Sequence, residues 1–184
     1  MQVHDAQLRL ALREHLGDVL TPEVAAHIEA MACVNVMPLP EVAGRGLTNE
    51  QRPEFFAFIN EALGAQYEPS KSRVFARVDS EIRAVVLFTE PRKWSVEMAV
   101  ASDGSRAWMS RRLLRAAFGY PFKQLGKARI TARIESDNAR AIALDEALGF
   151  THEGVQRRQF GMTDCVLMGM VADQCRWLKE KTRD

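Results

Sequence analysis

The spacing of apolar residues changes character along the chain, and each change marks a new element. From Asp5 to Leu20, the residues Leu8, Leu12, Leu16 and Val19 recur at helical spacing with charges between them, which predicts an amphipathic helix. Thr21-Pro22-Glu23 joins a capping hydroxyl, a first-turn proline and an acid, so a second helix is expected to about Met31. The segment from Met37 to Pro40, with Gly44 and Gly46, reads as a breaker-rich loop. Thr48-Asn49-Glu50-Gln51 has the form of a capping box. Phe55, Phe56, Ile59 and Leu63 follow on one helical face, and Gly64 ends it.

The period then shortens to two. Ser72–Val78 and Ile82–Thr89 read as strands joined by the turn Asp79-Ser80, and Trp94–Val100 as a third. A helix is predicted over Arg106–Leu125, kinked or ended by Pro121. Ala128–Glu135 reads as a strand, and a helix from Asn138 stops at Gly149. Strands over His152–Arg158 and Asp164–Val171 and an amphipathic tail, Ala172–Lys181, complete the chain. This order predicts the α+β class: a mixed sheet in a three-layer α/β/α arrangement. We expect one domain over 1–184, with a helical part at 1–66 and a core at 72–178.

Composition narrows the choice. The 184 residues, 47% of them hydrophobic, can bury a self-sufficient core. Basic and acidic side chains nearly cancel, 25 against 24, so net charge gives no support to a nucleic-acid partner. The longest apolar runs, such as Ala84–Phe88, are too short to span a bilayer. The acid-bearing N-terminus does not read as a signal peptide, and a cytoplasmic protein is expected. Cys33, Cys165 and Cys175 form no close pair and the four histidines show no ligand spacing, so no metal site is expected.

The richest chemical signal is the strand ending at Glu135, then Asn138 through Gly149-Phe150, followed by Glu153-Gly154 and Arg157. Where a buried strand gives out at an Asn, backbone groups and the amide side chain become available to a ligand. Gly149 allows the left-handed turn at the helix end, and Phe150 can return to the core. This unit resembles motif B of the GNAT superfamily of N-acetyltransferases, and the resemblance covers roughly Arg73 to Trp177. Gly149–Arg157 with Asp164–Met170 is similar to the subgroup acting on ribosomal-protein N-termini. Tyr120–Phe122, Leu125-Gly126 and Gln174–Trp177 resemble small GNAT proteins of bacteriophages and prophages.

The resemblance implies the GNAT fold with extra N-terminal helices, acetyl-CoA as co-substrate, and direct acetyl transfer to a primary amine of a small molecule or protein within a ternary complex. It implies cofactor contacts from Met98, Ala99 and Val100 and from the turn Arg106, Ala107, Trp108, Met109, Ser110 and Arg111, with Asn138 and Arg140 on the motif B helix. Glu97 is the leading candidate base, Glu135 and Ser136 the further catalytic candidates. The tyrosine acid of many members is replaced here by Asp145, and the serine of the ribosomal-protein subgroup by Ala141, so no obvious general acid remains beyond Ser136 as a substitute. Arg106 and Trp108 stand where the family turn carries glycines. Three readings of that turn stay open: pyrophosphate held by backbone amides without glycine, Trp108 turned into the core, or loss of cofactor binding. Glu97 can equally point outward or pair with an arginine, and Asn138 can be a helix cap as well as a ligand contact. The alternative function is a non-catalytic binding or assembly module. The apolar N-terminal helices are compatible with a homodimer.

Overall fold

The computed structural model describes residues 37–105 and 108–178. The two predicted N-terminal helices, Arg106 and Ala107 lie outside the described residues. Seven strands form one sheet in the order β1-β2-β3-β4-β5-β7-β6. They are β1 (Leu47–Thr48), β2 (Arg73–Val78), β3 (Ile82–Thr89), β4 (Ser95–Ser102), β5 (Arg129–Glu135), β6 (Thr151–Phe160) and β7 (Thr163–Val171). Every neighbouring pair is antiparallel except β4 and β5, which run parallel. The helices are α1 (Pro53–Leu63), α2 (Arg111–Gly119) and α3 (Ala139–Leu148). Among the described residues, no helix is long and apolar enough to cross a membrane.

Alternation along the strands loads both faces. Phe75, Val86, Phe88, Val96, Met98, Ile130, Ala132 and Ile134 pack in one core with Leu113, Leu114, Ala117 and Phe118 of α2 and with Leu148 and Phe150 at the end of α3. Val74, Ala76, Val85, Leu87 and Ala101 pack with Phe55, Phe56 and Ile59 of α1. Helices therefore cover both faces, as the sequence pattern predicts for a three-layer α+β protein.

The element ends show where local signals were overridden. The expected capping box is absent. α1 starts one turn later, at Pro53, behind Arg52, which makes no side-chain cap. Gln51 instead serves as a substitute strand partner: its Nε2 donates to the Val74 carbonyl (2.8 Å) and its Oε1 accepts from the Val74 N–H (3.0 Å). The helix expected from Arg106 begins only at Arg111, capped by Ser110 Oγ accepting from the Leu113 N–H. It opens into a wide turn at Tyr120–Gln124, at the predicted Pro121. Of the expected amphipathic tail, the described residues form two short turns, Ala172–Gln174 and Arg176–Leu178. Trp177 stacks on Phe118 and donates from Nε1 to the Leu148 carbonyl (2.8 Å), which ties the end of α3 to α2.

Candidate active site

The parallel pair β4–β5 is hydrogen-bonded over three residues only: Ser95, Val96 and Glu97 oppose Arg129, Ile130 and Thr131. Beyond Glu97 the two strands part. β4 continues to Ser102 paired with β3 alone, and β5 continues to Glu135 paired with β7 alone. Along residues 98–102 of β4, the side turned to β5 carries no strand partner, so backbone donors and acceptors line a gap in the middle of the sheet. A continuous ladder there would have hidden them.

Three elements converge at the open end of this gap. The loop after β4 passes through Gly104 at φ 81 and leads to the α2 N-terminus, where the Ser110 hydroxyl takes the Leu113 N–H and the other first-turn amides have no carbonyl partner within the helix. The α3 N-terminus lies alongside, because Arg140 Nη2 donates to the Gly104 carbonyl (2.7 Å). Asn138 caps α3, its Oδ1 accepting from the Ala141 N–H (3.0 Å). Arg111 and Arg112 are exposed on the first turn of α2. Of the three readings of the turn, the structure adopts the one that sends Trp108 inward: it is 4% exposed and belongs to the core shared with Met98 and Leu113. A glycine is not needed where the side chain turns away from the gap. Met98 is also buried, so only its backbone faces the gap's surroundings.

At the closed end, Glu97 is the last residue of β4 to pair with β5 and sits on the α1 face of the sheet. It lines an open hollow of about 250 Å³ with Glu90, Arg92, Ser95, Arg129, Thr131, Arg133, Gln156 and Leu167. Its carboxylate meets Arg133 of β5 across the parting strands, Nη2 to Oε1, at 2.8 Å. Glu97 thus faces a hollow and pairs with an arginine. Burial pushes its pKa up; Arg133 pulls it down, Glu90 adds to the rise and Arg92 opposes it. Arg129 is occupied by Glu153 and by the Thr131 hydroxyl. Gln156 Oε1 is enclosed and has no hydrogen-bond partner among the described residues.

Glu135 and Ser136 do not join Glu97. The register Glu97↔Thr131 sets Glu135 four residues further along a diverging strand, roughly 13 Å away at the usual rise per residue. Both are exposed near the open end, and the Ser136 N–H is committed to the Asp164 carbonyl (2.9 Å). The loop after Met37 and the hairpin tip at Phe160–Thr163 contribute nothing to the hollow's lining.

Two residues gain weight from the structure. Tyr67 follows α1 in a stretch that sequence patterning leaves as a loop. Asn60 holds it from both sides, accepting from the Tyr67 N–H (2.8 Å) and donating to its carbonyl (3.2 Å). Its phenol is raised by burial and by Glu97, with Arg133 opposing, so it keeps its proton at neutral pH. The signal that could have found it is Asn60, a polar side chain close to the end of an otherwise apolar helix face. Asp145, on α3, is half-buried with no hydrogen-bond or ion-pair partner for its carboxyl among the described residues, and burial raises its pKa to about 7.

No family model matches this chain, and no curated protein matches it in sequence. Solved structures do match. Mutant forms of the spermidine/spermine N-acetyltransferase from Vibrio cholerae superpose with a TM-score of 0.56 at 20% identity, over 69% of this chain and 94% of theirs. The ribosomal-protein-S18-alanine N-acetyltransferase from Escherichia coli gives 0.53 at 17% identity, over 68% of this chain and 92% of that one. The ribosomal-protein-S5-alanine acetyltransferase from Vibrio fischeri gives 0.50 at 20% identity, over 57% and 64%. The fold is that of the GNAT N-acetyltransferases.

Proposed function

We propose that this protein is an N-acetyltransferase that takes acetyl-CoA and a primary amine together and transfers the acetyl group directly. The observation that carries the reading is the parting of β4 and β5 after Glu97. An extended amide-containing arm can pair with the freed edge of β4 much as a peptide adds to a sheet. The first-turn amides of α2 that Ser110 does not cap, with Arg111 and Arg140 nearby, suit the pyrophosphate end. The acetyl group then lies towards Glu97.

In this mechanism Glu97, with its pKa raised by burial, accepts a proton from the amine as nitrogen bonds to the acetyl carbon. The carbon–sulfur bond breaks, and the departing thiolate takes a proton. Tyr67 is the candidate donor on the α1 face, since the other tyrosine, Tyr120, already donates its hydroxyl to the Pro38 carbonyl (2.7 Å).

The acceptor enters from the α1 side. Gln156 Oε1, enclosed without a donor, would be satisfied by an N–H brought into the hollow. Arg92, Arg129 and Arg133 stand against Glu90 and Glu97 in the lining, so a polycation such as spermidine meets as much repulsion as attraction there. This favours a single amine, such as a peptide N-terminus, over a polyamine. The second reading, a binding module without turnover, draws on the Glu97–Arg133 pair, which engages the candidate base. Titration calorimetry with acetyl-CoA should give micromolar binding. A thiol-release assay over an amine panel should then show turnover that Glu97→Gln reduces at least 100-fold, with acetyl-CoA affinity unchanged. Binding without thiol release, or no binding at all, would favour the module; no binding would end the transferase reading.

A further inference from the structure

We propose that Arg133 is the positioning residue for Glu97, holding its carboxylate across the base of the gap in the orientation needed for proton transfer. The inference rests on the reading of Glu97 as the base. Four observations lead to it. The 2.8 Å contact joins two strands at the point where their backbone ladder stops, so no backbone hydrogen bond fixes the Glu97 side chain from the β5 side. The pair is only partly open to water, with side-chain exposures of 36% for Arg133 and 21% for Glu97, so the interaction is less screened than at a free surface. Arg129, four residues earlier on the same strand face, is already held by Glu153 and Thr131, which leaves the Glu97 contact to Arg133. Tyr67 senses both members of the pair, so the carboxylate, guanidinium and phenol form one electrostatic group on the α1 face.

The charged and titratable groups around Glu97 come from each neighbouring segment. Glu90 and Arg92, of the turn before β4, and Arg133, of β5, act on Glu97, while Tyr67, of the loop after α1, and Cys165, of β7, respond to its charge. Arg133 is the strongest of the groups that favour the carboxylate. Without it, burial and Glu90 are opposed by Arg92 alone, and the pKa of Glu97 rises further. A base is lost when it protonates, so the acid limb of the pH–rate profile should move towards alkaline pH.

The test compares the full-length protein with Arg133→Gln and Arg133→Lys. For Arg133→Gln, we expect the acid limb of kcat to move up by about one pH unit, hence a roughly tenfold loss of rate below the limb. The KM for acetyl-CoA should stay the same. Arg133→Lys keeps the charge and should restore most of the limb's position, with a lower rate because one ammonium cannot fix orientation as a guanidinium does. Carbon-13 NMR titration of the Glu97 carboxyl in the same proteins reads the hold without any turnover. An unmoved Glu97 titration in Arg133→Gln, with only a lower Tm, would overturn the proposal and leave Arg133 as a tie between strands. Failure of Glu97 as base would show differently, as an undiminished rate in Glu97→Gln.

Discussion

Asp145 offers a quantitative test of the packing. Its carboxyl sits on the α3 face that also carries Ala141, Ile142 and Leu148 at positions i−4, i−3 and i+3, and burial raises its pKa from 3.8 to about 7. In the unfolded chain the group ionises near pH 4. Below that, both states hold the proton and the site has no net effect. Between about pH 4 and 7, the unfolded chain has released the proton while the folded protein keeps it, so folding stability falls as pH rises. Above about 7 both states are ionised, and the penalty is complete. One proton over about 3 pH units gives a ceiling of about 4 kcal/mol. Asp145 is partly exposed, and relaxation with water at its rim should reduce this to about 2 kcal/mol. Asp145→Asn keeps the shape and removes the titration. Urea unfolding of both proteins at pH 4, 6 and 8 should show nearly equal stability at pH 4 and a variant advantage of about 2 kcal/mol at pH 8. A difference that stays constant with pH would refute the assigned burial; so would a variant less stable at pH 8, which would mean that the carboxylate has a partner.

Other outcomes follow from the same structure. Asn138→Ala removes the α3 cap and should cost about 1 kcal/mol in thermal unfolding. It should also weaken acetyl-CoA in calorimetry; a stability loss with unchanged affinity would mark Asn138 as a cap alone. Trp108→Ala should cost about 3–5 kcal/mol, because the indole is enclosed in the main core, and a loss below about 1 kcal/mol would contradict that placement.

Most of the architecture could be read from periodicity. Ile82–Thr89 was expected at the bounds it has, because five consecutive buried residues in a β-rich run leave no competing helical pattern. α3 and its Gly149 stop were equally plain, since φ 108 at that position is a demand only glycine meets cheaply. The start of α1 was misread because Gln51 is better used pairing with Val74, 23 residues away, than in a local cap. The helix before Tyr120 was placed too early for a similar reason: Trp108 gains more from core burial than from continuing a helical face. Of the site, Glu97 and Asn138 were visible as residues on the right elements. Arg133 and Tyr67 were not, since nothing local distinguishes an arginine on a strand or a tyrosine in a loop.

Among the described residues, the sequence alone determined the order of helices and strands, which faces are apolar, and that a strand, Asn138 and a glycine-ended helix would follow one another. Those properties depend on residues within a few positions of each other. Only the tertiary structure decided that β4 and β5 separate after three pairs, that Arg133 reaches Glu97 across the gap, and that Trp108 turns inward. Each of these compares partners far apart in the chain, and the winner is set by how the sheet twists and what the two helical layers leave uncovered.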